Sequence, residues 1–176
     1  MLWKPIFILL LTWPLACPQT PQLRTSAERQ SDPAALPQEL TETETQTIRR
    51  EQNPKPHVDA ALRVSDARIT AALKSVEAEQ YRSAAGDVHV YAALIVYADA
   101  YTRKLPDSQH KDRNACLKKL EQAIFKQTRT LDAVMRELPL AYREPAEEKV
   151  AQVKKIRTRA INDLLGGGKM LDSSNE

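Results

Sequence analysis

Three histidines and two cysteines are the residues with which this chain could do metal or nucleophilic chemistry. His57, His89 and His110 form neither a His-Glu-x-x-His motif nor the Glu-x-x-His pairs of di-iron bundles, so no metal site is expected. Each histidine is expected at an exposed or edge position. Cys116 adjoins the apolar Leu117, with no histidine near it in sequence and no glycine-rich turn around it. It reads as a small buried hydrophobe rather than a nucleophile. The competing reading is an exposed thiol that joins two chains in an oxidising compartment.

Four glycines, three of them consecutive at 166–168, cannot build a nucleophile elbow, a phosphate loop or a dinucleotide fingerprint. Glu77 with Glu79 and Glu147 with Glu148 sit one or two positions apart in helical sequence. Such neighbours point to different sides of a helix and make no acid/base pair. The expectation is therefore a non-catalytic protein without a cofactor.

Basic residues offer a binding chemistry instead. Lys118, Lys119, Lys126 and Arg129 fall in one helical stretch, and Lys154, Lys155, Arg157 and Arg159 in the next. Together they are the candidate anion-binding face, suited to lipid headgroups or an envelope polymer. The competing reading is a solvated surface matched to the helix dipole, because Glu144, Glu147 and Glu148 open the last helix and the cations follow. Residues 57–165 hold 19 Lys and Arg against 15 Asp and Glu. That mild excess, with no exposed aromatics interleaved, does not suggest nucleic acid. Tyr91, Tyr97 and Tyr101 either pack in the core with hydroxyls at its edge or line an apolar groove.

These side chains must be positioned by a chain of 176 residues, 42% hydrophobic and 28% charged, with a net charge of +3. That suffices for one domain plus extras. Residues 1–17 read as a signal peptide: Lys4 supplies the charge, and an apolar run of about 13 residues is too short to span a membrane. Leu15-Ala16-Cys17 resembles a bacterial lipobox, with Pro14 where that motif carries leucine. The resemblance implies a lipid on Cys17 and a membrane-surface anchor. Ordinary cleavage near Ala16 stands beside it. Either way the protein is expected outside the cytoplasm, secreted or periplasmic.

Residues 18–56 are rich in Pro, Thr, Gln and Glu, with scattered apolar residues, and read as a disordered linker. From 57 to 165 the pattern is helical. Val58, Leu62, Ser65, Ile69, Ala72 and Val76 follow steps of four and three. A break is expected at Gly86-Asp87, and then a central helix with two apolar stripes, Val88-Tyr91-Ile95-Ala98 and Val90-Leu94-Tyr97-Tyr101. A long third helix, capped by Asp107 or Ser108, places Leu117, Leu120, Ile124, Thr128, Leu131, Met135 and Leu138 inward, and Pro139 closes it. A fourth opens at Glu144-Pro145 and stops at Gly166. The expectation is an all-α, up-and-down antiparallel helical bundle of about four helices, with a flexible tail at 166–176. Its expected work is contact with an unidentified protein partner of the bacterial cell envelope. The alternative is a binding module for an anionic polymer, a lipid surface or a small ligand.

Overall fold

The computed structural model describes residues 35–166. The export signal at 1–17 with Cys17, the linker up to residue 34 and the tail from residue 167 lie outside the described residues. Within them the chain is all-helical: α1 Glu42–Arg49, α2 Pro54–Glu77, α3 Tyr81–Lys104, α4 His110–Glu137 and α5 Leu140–Leu164, with a 3-10 turn at Asp107–Gln109. No helix among the described residues is long and apolar enough to cross a membrane.

Helices α2 to α5 form a bundle of two hairpins. α2 packs on α3 and α4, α5 packs on α3 and α4, and α3 touches α4 across the middle. Ion pairs record the directions. Lys55 meets Asp112 at 2.9 Å and Lys119 meets Asp59, so α2 and α4 run parallel. Asp99 meets Arg159, and Arg103 meets Asp163 at 2.7 Å, so α3 and α5 run parallel. Glu121 and Asp132 meet Arg157 and Lys154, which makes α4 and α5 antiparallel. Both expected stripes of α3 are used: Val88, Tyr91, Leu94, Ile95 and Ala98 are almost or wholly enclosed. α3 is the central helix for that reason.

Four boundaries differ from the sequence reading, one of them the start of the long helix: a 3-10 turn occupies Asp107–Gln109, so neither Asp107 nor Ser108 caps it and α4 begins at His110 with no side-chain cap. The linker does not extend to residue 56. Thr41 and Glu44 close a capping box: Thr41 Oγ1 accepts from the Glu44 amide at 3.2 Å, and the Glu44 carboxylate accepts from the Thr41 amide at 2.8 Å. This starts α1, whose Ile48 is fully buried. Leu36 and Leu40 pack on the same core, so apolar residues that look scattered in sequence converge in space. Pro54 and Pro56 then lie in the first turn of α2, where a proline removes no helical hydrogen bond.

The α2–α3 break falls at Ala78–Gln80, not at Gly86. Glu79 takes the left-handed conformation with φ of 58°. α3 runs straight through Gly86, because burying Ala84 and Val88 outweighs the roughly 1 kcal/mol that a mid-helix glycine costs. α5 starts at Leu140 rather than Glu144, with Pro145 inside its early turns. The two-residue turn is held by Arg143, which donates to the carbonyls of Leu138 at 2.7 Å and Arg136 at 2.8 Å. Those carbonyls would otherwise lack partners at the C-terminus of α4. Gly166, with φ of 72°, ends α5 as expected.

Candidate functional site: the α4–α5 groove

His57 is buried, not exposed, and it is tied on both sides. Its Nδ1 lies 2.7 Å from the Glu51 carbonyl, which can only accept, so Nδ1 carries the proton. Nε2 lies 2.5 Å from the Tyr97 hydroxyl, from which this tautomer accepts. Tyr101 stacks on the ring at 4.3 Å between centroids. This cluster fastens the α1–α2 connection to α3. Burial, with a smaller effect of Tyr101, pushes the Tyr97 hydroxyl up to about 12. Tyr91 is in the core, but its hydroxyl is sealed in with it and has no hydrogen-bond partner among the described residues, where the core reading set the hydroxyls at the edge. His89 is exposed beside a pocket of about 110 Å³ with Tyr142 and Lys149, apart from the cluster around Tyr97. His110 is exposed at the start of α4. No group of three or more metal-ligating side chains occurs among the described residues.

Cys116 is fully buried, which opposes an inter-chain disulfide in the folded state. Burial first, and Asp112 second, push its thiol from 9.0 up to about 11. Above pH 9 an unfolded chain loses this proton while the folded chain keeps it, so the unfolded state binds fewer protons and stability falls as pH rises. Tyr97 extends the fall toward pH 12. The urea midpoint should drop between about pH 8 and pH 11, with Cys116 contributing on the order of 2 kcal/mol. A Cys116→Ala chain, compared with itself across that range, should show a shallower drop; an equal drop would remove Cys116 from the account.

The eight candidate basic residues do not form one face. Lys119 turns toward α2 to pair with Asp59. Arg159 turns toward α3 and, with Arg103, holds the buried Asp99. Lys154 pairs with Asp132 at 3.7 Å and Arg157 with Glu121 at 3.1 Å. Lys118 and Lys155 are exposed outside the groove lining.

Three of the eight are brought together. Lys126, Arg129 and Arg157 line a groove of about 560 Å³ between α4 and α5, with Phe125, Thr128, Asp132 and Arg136. Phe125 is 62% exposed, and the Arg157 guanidinium carbon lies 4.8 Å from the centre of its ring. Among the described residues, Lys126, Arg129 and Arg136 have no carboxylate partner. Phe125 and Arg136 were missed in the sequence. Their signal was the step of four, three and four through Phe125, Arg129, Asp132 and Arg136, which marks a single stripe on α4. Chemically the groove can seat an apolar group on the ring and carboxylates or phosphates on the guanidinium forks. No protein-family model, no curated protein and no solved structure matches this chain.

Proposed function

We propose that this chain is an exported, non-catalytic helical bundle of the bacterial cell envelope that works by protein–protein contact through its α4–α5 side. One observation carries the choice of side. The large apolar side chains most exposed to solvent, Phe125, Leu140, Leu164 and Leu165, all belong to α4 or to α5 and its C-cap. Apolar groups left in water on one helix pair favour a covering partner.

Export rests on the charge, length and apolar character of residues 1–17, and the lipid anchor on Cys17 in its motif. A photo-crosslinking residue at Leu140, introduced in cells that make the full chain, should capture a protein. The same residue at the exposed Arg63 of α2 should not. Equal capture at both positions, or none at Leu140, would defeat the reading. The mass and N-terminus of the recovered chain test export directly: a start at or near Cys17 supports it, and an intact Met1 overturns it.

A second reading has its own observation. The unpaired cations Lys126, Arg129 and Arg136 favour an anionic polymer or lipid surface at the same place. It predicts retention on anionic vesicles that added salt abolishes.

A further inference from the structure

Phe125, Arg129, Asp132 and Arg136 form one exposed stripe on α4, roughly 16 Å long at 1.5 Å per residue. Arg157 is the facing wall, anchored by Glu121 at 3.1 Å and by the Phe125 ring. With Arg157 engaged by Glu121, the groove presents three cations without a carboxylate of their own among the described residues, Lys126, Arg129 and Arg136, and an exposed aromatic ring beside the carboxylate of Asp132. Asp132 itself is only loosely engaged, by Lys154 at 3.7 Å with both side chains about half exposed.

We infer that the groove docks an acidic amphipathic helix of a partner protein, with an apolar side chain on Phe125 and two carboxylates seven residues apart on Arg129 and Arg136. This rests on the reading of the chain as a protein-contact bundle, and it names the partner's chemistry. The spacing selects a helix. Arg129 and Arg136 are separated by roughly 10 Å of helical rise. A helix laid alongside repeats one face every seven residues, at the same rise. An extended strand repeats its face about every 6.6 Å and matches one arginine but not both. Charge selects the sign: guanidinium forks without a carboxylate of their own take carboxylates in bidentate pairs.

Asp132 selects the pattern. Set between the two arginines, it fits a lysine at the intervening step of the partner and repels a uniformly anionic surface. A second copy of this chain is disfavoured as occupant, because it would set one cation surplus against another. Phe125 supplies the apolar contact that a purely electrostatic site lacks.

The test uses the full chain and a fluorescein-labelled, alanine-based helical peptide carrying Leu, Glu, Lys and Glu at steps of four, three and four. Its control has the same composition, with the four residues moved to different faces. The matched peptide should bind saturably, and the control about ten-fold more weakly. Arg129→Glu should abolish binding, and a matched peptide with Lys in place of the facing Glu should restore it. Arg129 is exposed, so the variant is expected to fold. Equal binding of both peptides overturns the inference, as does failure of the rescue. So does binding of phosphatidylglycerol vesicles with none of the peptide, or self-association of the chain through this groove. If the peptides fail while Leu140 still crosslinks to a protein in cells, the groove assignment falls and the protein-contact reading stands; if Leu140 captures nothing, that reading falls with it.

Discussion

Ile95→Ala should lower the folding free energy by about 3–4 kcal/mol, read as a fall in the urea midpoint at unchanged slope. The reason begins with the helix wheel. Ile95 lies in the first of two adjacent apolar stripes on α3, which, like α4, touches each of the other three long helices. Its side chain is completely enclosed, as are Val88, Tyr91 and Leu94 near it on the same helix. Removing three carbons forfeits their transfer free energy and leaves a cavity. The size of the cavity penalty depends on how far the surroundings can collapse. Here they collapse little. Ala60, Ala61 and Ala72 of α2 and Ala92 and Ala98 of α3 are nearly or wholly buried, so small side chains already hold parts of these helices in close packing. The loss should therefore stay clear of the low end of the range for such truncations. Ile95→Val, which removes one carbon, should cost only about 1 kcal/mol. Leu140→Ala, at an exposed leucine, should change stability by less than about 0.5 kcal/mol. Similar midpoints for Ile95→Ala and Leu140→Ala would mean that α3 is not the centre of the core.

The features legible in the sequence share a property: they are local and repeated. The twin stripes of α3, most of the inward row of α4 from Leu117 to Leu138 and the glycine stop after α5 are read along one helix with no knowledge of its neighbours. The failures needed knowledge from elsewhere. Gly86 looked like a break because a lone glycine weakens a helix, while the real turn at Ala78–Gln80 contains neither glycine nor proline. A cost of about 1 kcal/mol is a weak signal beside the burial of whole side chains. His57 looked exposed at the edge of a proline-rich segment, because its partner Tyr97 is 40 residues away.

The eight basic residues divide in the same manner, by partners on other helices. Grouping by helix collected Lys119 and Arg159, whose charges are spent on Asp59 and Asp99 of other helices. It passed over Arg136, whose place is visible only when the step from Phe125 is followed. A cation becomes a candidate for binding when its own fold offers it no carboxylate, and pairing across helices is not written in the spacing of either helix alone.

Ile48→Ala should release α1 from the bundle while α2 to α5 remain folded. Isolated helices of this length are unstable in water, since the cost of nucleation is not recovered over so few hydrogen bonds. α1 has eight residues, so its order must come from contacts with the rest of the chain. Two contacts dominate. Ile48 is its one fully buried side chain. Arg68 of α2 grips Glu44 through Nε at 2.7 Å and Nη2 at 2.5 Å, and reaches Asp87 of α3 at 2.9 Å. Truncating Ile48 should remove about 2–4 kcal/mol from docking, which exceeds what a single partly exposed ion pair returns. Backbone amides from about residue 45 to 50 should lose nearly all their protection against hydrogen exchange, and those of α3 should keep theirs. Acid should produce a weaker form of the same release. Burial works against the ionised Glu44 carboxyl, but its bonds from Arg68 and Thr41 overcome that and hold it below its ordinary 4.5. The docked state then binds fewer protons than the released one, so docking is full above that ordinary value and weakens as pH falls through and below it. Retained protection of α1 in Ile48→Ala would mean that Leu36, Leu40 and the Arg68 clamp suffice without it. Simultaneous loss in α3 would mean that α1 is part of the cooperative core rather than a docked flap.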